Sequence, residues 1–95
     1  MPVFTCHAEC EYDVEQLRQR LTTLRHAGTV TSEGALLEGH QRGDVPDRDV
    51  TITTDRDIHF VRWLLNQIQD SHVMLRTLEE GTFAERFARR QNHGR

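Results

Sequence analysis

The densest group of reactive side chains is Cys6-His7-Ala8-Glu9-Cys10, which sets two thiols, an imidazole and a carboxylate side by side. On a helix, the Cys6/Cys10 spacing would suit a soft metal ion. The surrounding residues argue for a strand, because Phe4, Cys6, Ala8 and Cys10 alternate with Val3, Thr5, His7, Glu9 and Glu11. Four residues of strand span about 13 Å. A disulfide tolerates about 7 Å at most, and two thiolates sharing one zinc need a similarly close approach. His7 also points to the opposite face. The expected state is two reduced, inward-facing thiols that pack as small hydrophobes, with no metal and no cofactor.

The histidines give a second reading. A strand over Ser71 to Leu78 with Val73 and Leu75 inward would turn His72, Met74 and Arg76 outward, onto the face shared by His7 and Glu9. There His7 could act as a base, Glu9 as its orienting carboxylate and Arg76 as an anion clamp, with His72 beside them. That set (His7, Glu9, His72, Arg76) is the candidate catalytic group. The alternative is a solvated face of a one-sided antiparallel sheet. Other chemistries lack their residues. All twelve Lys+Arg residues are arginine, which removes lysine Schiff bases and Walker-type phosphate loops. No Gly-x-Ser-x-Gly elbow or His-Glu-x-x-His pair occurs.

These residues must be held by something, and the chain has 95 residues to do it, enough for one core. Asp13 reads as an N-cap with Gln16 as its capping-box partner. Val14, Leu17, Leu21 and Leu24 then form the stripe of an amphipathic helix, which Gly28 would close in the left-handed region. Ala35 to His40 reads as a short second strand, followed by a turn through Gly43, Asp44 and Pro46. Asp49 to Thr53 alternates again, with Val50 and Ile52 inward. Thr54 and Asp57 open a second helix to about Gln69, its apolar arc being Ile58, Val61, Leu64, Leu65 and Ile68. Thr82 and Glu85 cap a last short helix carrying Phe83 and Phe87.

The implied order is β-α-β-β-α-β: a ferredoxin-like α+β sandwich with a four-stranded antiparallel sheet, two helices on one face and an extra short C-terminal helix. Residues 1–81 form the domain, and residues 82–95 the helix and basic tail. The formal charge of −3 gives no global attraction to nucleic acid. No apolar run approaches the roughly 18 residues of a membrane span, and the N-terminus has no secretory pattern. The expected setting is cytoplasmic, without a membrane.

Architecture alone does not assign function, so the exposed apolar residues decide between readings. Met74 and Leu36 (or Leu37) are expected on the outer sheet face, and Trp63 falls roughly 150° from the core arc of its helix. Trp63 would anchor a contact unless Phe83 and Phe87 cover it. The leading expectation is a small non-catalytic domain acting by self-association, as a dimer, and by binding or regulating a protein partner through Met74, Leu36 and Trp63. Its rival is a face-to-face dimeric barrel enzyme that uses the His/Glu/Arg set for proton transfer on a small anionic or carbonyl substrate. A weaker alternative is nucleic-acid binding through Arg86, Arg89, Arg90 and Arg95.

Overall fold

The computed structural model describes residues 1–33, 41–42, 45–46, 48–69 and 71–93. In chain order they form β1 (Val3–Ala8), α1 (Glu11–Thr23), β2 (Gly28–Glu33), β3 (Gln41–Arg42), β4 (Val45–Pro46), β5 (Arg48–Thr54), α2 (Ile58–Asn66), α3 (Ser71–Thr77), β6 (Glu79–Glu80) and α4 (Phe83–His93). The fold is α+β. Its main sheet runs β2-β5-β1-β6 with every pairing antiparallel, while β3 and β4 pair separately.

The alternations over residues 3–8 and 49–53 produce the two central strands. Phe4, Cys6 and Ala8 of β1 and Val50 and Ile52 of β5 are all buried. Against them pack Val14, Leu17 and Leu21 of α1, Val61, Leu64 and Leu65 of α2, and Met74 of α3. Each such large aliphatic side chain contributes roughly 1.5–3 kcal/mol on full burial, so this layer holds the fold together.

The plain β-α-β-β-α-β order is not adopted. Residues 71–77 form α3 instead of the expected strand, and the edge strand that follows has only two residues. The reason lies in the buried set: Val73, Met74 and Leu78 are inside. Spacings of one and four residues define a helical arc, whereas a strand buries every second residue. Met74 therefore faces the core and is fully buried, not outward. The second long strand lies at residues 28–33, upstream of the expected position. Leu36 and Leu37 lie outside the described residues.

Helix boundaries shift for local reasons. Cys10, with extended backbone angles of φ −141° and ψ 156°, is the N-cap of α1, and Asp13 lies inside the first turn. The strand thus ends before Cys10, which is exposed while Cys6 is buried. Asp57, not Thr54, caps α2 by accepting from the Phe60 N–H at 3.0 Å; Thr54 is the buried end of β5. Thr82 caps α4 as the sequence suggests, accepting from the Glu85 N–H at 3.2 Å. The left-handed residue after α1 is Arg25, at φ 55°. Gly28 opens β2, where a Cβ would stand 2.1 Å from the Thr53 carbonyl oxygen.

Strand edges, which expose unpaired backbone groups, are closed by side chains and by the backbone of Gly81. Arg18 of α1 donates its Nε–H to the Val30 carbonyl of β2 at 3.0 Å. On the far side, β6 covers only Phe4 and Thr5. Beyond it, the His7 N–H donates to the Thr77 hydroxyl at 2.8 Å and the Gly81 N–H to the Val3 carbonyl at 2.7 Å.

Candidate functional site

Two regions carry side chains capable of chemistry or recognition. The first lies on the sheet face opposite the core helices, where β1 presents Thr5 and His7 and β5 presents Asp49 and Thr51. Antiparallel register sets His7 directly opposite Asp49. Their side chains meet, with His7 Nδ1 2.9 Å from Asp49 Oδ1, and are only 6% and 12% exposed. The start of α4 roofs this pair: the Phe83 ring rests 5.6 Å from the imidazole, centroid to centroid. Arg86, one turn on, donates to Glu79 Oε2 at 2.8 Å and to Thr5 Oγ1 at 3.1 Å. The Thr5 hydroxyl itself donates to the Gly81 carbonyl. Both faces of β1 are thereby buried, and the C-terminal helix provides part of the cover over the outer face.

Cys6 points the other way, into the core. Desolvation pushes its thiol up to about 12, slightly opposed by the Arg86 charge. A thiol so unwilling to ionise is neither a nucleophile nor a ready metal ligand. The Cys10 thiol is also raised, chiefly by desolvation. No group of three His, Cys, Asp or Glu side chains among the described residues could hold a metal ion.

The second region is a groove on the outside of the helical layer. Its walls are α1, through Gln16, Gln19, Arg20, Thr23 and the following Leu24, and α2, through Trp63, Leu64 and the following Gln67; it encloses about 260 Å³. Trp63 is 48% exposed and Leu24 is 36% exposed. Trp63 continues into an aromatic row: its ring lies 5.9 Å from Phe60, and Phe60 lies 4.8 Å from the edge-on imidazole of His26. The Arg56 guanidinium stands 5.1 Å from the Phe60 ring. Arg20, at the groove wall, has its Nε buried without an acceptor among the described residues.

No protein-family model, curated protein or solved structure matches the chain. Function must therefore be read from these two regions.

The structure separates the residues that the sequence groups together. His7 is buried beside Asp49, whereas His72 and Arg76 are exposed on α3, a helix packed against β1 and α2. The described cavities are lined by other residues. Of the association residues, Met74 is in the core, Leu36 lies outside the described residues and Trp63 is exposed. Phe83 is engaged with His7, and Phe87 is 63% exposed. Two of the tail arginines are used internally, Arg86 as above and Arg89 through a 2.5 Å bond to the Glu80 carbonyl. Among the described residues, no helix is long and apolar enough to cross a membrane.

Sequence reasoning missed Asp49 as the partner of His7, although parity marked both as outward residues of adjacent strands. It also missed the α1 wall of the groove. The available signal was the 4, 3, 4 spacing of Tyr12, Gln16, Gln19 and Thr23, a helical row without formal charge.

Proposed function

We propose that the protein is a small binding domain that acts by protein–protein contact, with the α1–α2 groove around Trp63 as its interface. The single observation that carries this reading is the half-exposed Trp63, set between Leu24 and Phe60 at the rim of a groove. Burying a large aromatic ring is a characteristic way for an interface to gain energy. Arg20, Gln16, Gln19 and Gln67 supply polar groups around that anchor, the usual arrangement of an apolar centre within a polar rim. Self-association, expected from the sequence, belongs in this reading to the helical side, because Met74 is core and α4 occupies part of the outer sheet face.

A proton-transfer role for His7 has less support. A substrate would have to displace Phe83 to reach the imidazole, and His72 and Arg76 sit on the exposed side of α3. Catalytic groups need to be within hydrogen-bond reach of one reacting centre.

Site-specific photocrosslinking tests the proposal. A photoreactive residue replacing Gln19, at the groove wall, should form protein adducts of defined mass in producing cells, and Trp63→Arg should abolish them. Adducts that persist unchanged in Trp63→Arg, or none at all, would overturn the reading.

A further inference from the structure

Resting on the reading of the Trp63 groove as an interface, we infer that its occupant is a second copy of this chain, docked through antiparallel pairing of the two α1 helices about a two-fold axis. The inference comes from how α1 distributes its residues. Val14, Leu17 and Leu21 face the core. On the opposite side, Tyr12, Gln16, Gln19 and Thr23 form a row without formal charge, three turns long, or about 16 Å from first to last. Tyr12 is 63% exposed at one end of the row. Leu24 and Trp63 stand at the other end, beside Thr23.

A two-fold axis crossing the row between Gln16 and Gln19 makes these ends complementary. Position 12 of one copy then lies level with position 23 of the other, and position 16 with position 19. Each Tyr12 enters its partner's Leu24–Trp63 groove, while the glutamines meet across the axis. The contact is isologous and closes on itself, so it yields a dimer and not a filament.

Charge favours the same arrangement. The exposed acids in the first half of α1 are Glu11 and Glu15, and the second half carries Arg18 and Arg20, with Arg25 just beyond. Antiparallel pairing brings the acidic half of each helix to the basic half of the other; parallel pairing brings like beside like. In an antiparallel pair equivalent flanks meet each other, so Glu15 lies across from the partner's Arg18. Within one copy Glu15 already meets Nη1 of Arg18 in a surface ion pair, which is worth little by itself, while the Arg18 Nε stays on the Val30 carbonyl. The helix is only 13 residues long, about 20 Å. A contact of that length falls near or below the roughly 1,200 Å² typical of weak, transient complexes, so the dimer should dissociate on dilution.

Sedimentation and Trp63 emission across roughly 1 µM to 1 mM protein, the range of weak dimers, test this. The mass should rise with concentration from the 11.1 kDa monomer toward twice that value, with Trp63 becoming shielded from acrylamide in step. Tyr12→Ala should remain monomeric over the same range with an unchanged circular dichroism spectrum. Glu15→Arg and Arg18→Glu should each lower self-affinity about tenfold, and an equimolar mixture of the two should recover it, since both cross-pairs are then complementary. A wild-type chain that stays at monomer mass throughout, a dimer indifferent to Tyr12→Ala, or failure of the mixture to recover would overturn the inference. Trp63-dependent adducts to some other protein, with no self-association, would leave the interface reading standing and remove this one. Loss of every Trp63-dependent contact would remove both.

Discussion

Replacing Asp49 with valine should test whether the pair beneath Phe83 is held as a unit. The imidazole of His7 is 94% out of solvent, as the complement of its 6% exposure, and its Nδ1 lies 2.9 Å from the carboxylate. Removing one partner of a buried pair typically costs about 3–5 kcal/mol, because the other stays buried without that contact. The residual 12% exposure of Asp49 argues for the lower end, about 3 kcal/mol. With 95 residues at about 2.1 cal/mol/K each, the unfolding entropy is about 0.2 kcal/mol/K, so the Tm should fall by about 15 °C. Valine suits a central strand, which removes propensity as a cause. His7→Phe keeps a ring against Phe83 and takes the imidazole away from the carboxylate instead. The double variant His7→Phe/Asp49→Val leaves neither polar group behind and should cost less than either single change, a coupling of about 3 kcal/mol. Thermal and urea unfolding of the four proteins give the cycle. If the two single costs add to the double cost within about 0.5 kcal/mol, the pair is a coincidence of register and the reasoning fails.

Three further outcomes can be checked. Thiol titration in native buffer should show one promptly reactive cysteine, the exposed Cys10, and a second that reacts only in denaturant, because Cys6 is buried with its thiol raised to about 12; two fast thiols would contradict this. Gly28→Ala should destabilise by about 2–4 kcal/mol in urea unfolding, since its Cβ would meet the Thr53 carbonyl at 2.1 Å; a cost under about 0.5 kcal/mol would show the β2–β5 approach to be looser. Asp57 is held below the ordinary carboxylate range, first by the Phe60 N–H it accepts. A lowered folded-state value means stability present above the unfolded value and lost as pH falls through the folded one. Asp57→Asn should therefore weaken the loss of stability on the acid side while leaving a neutral cap, and an unchanged acid profile would count against it.

The alternation of Phe4, Cys6 and Ala8 and of Val50 and Ile52 was legible because one face of each strand is apolar and the other polar. The stripe Val14, Leu17, Leu21 was legible for the corresponding helical reason. β2 was not, because Gly28-Thr29-Val30-Thr31-Ser32-Glu33 offers one strongly apolar residue, Val30. Its pairing comes from β5, not from its own pattern. The segment Ser71–Leu78 misled because Val73 and Leu75 imitate a strand, while the adjacent burial of Val73 and Met74 that identifies a helix appears only once α2 and β1 are in place. At the site, Trp63 stood out through its angle to the core arc. His7 stood out by type but with the wrong companions: its true partner Asp49 depends on register, which parity alone does not fix.

The central position of β1 also has a consequence for the order in which the chain is made. Its partners are β5 and β6, and its outer face is roofed by Phe83 and Arg86. The strand synthesised first is completed by residues synthesised much later. At about 5–20 residues per second, several seconds separate Ala8 from Arg48, and several more pass before Phe83 emerges. Until β5, α2 and α3 follow, Phe4, Cys6 and Ala8 have only α1 to shelter them, and the edges of β1 are unpaired. Such a topology is dominated by contacts between residues distant in sequence, which slows folding. The apolar face of β1 is therefore closed once α2 and α3 have been made, and only its outer face, with Thr5 and His7, waits for the last helix.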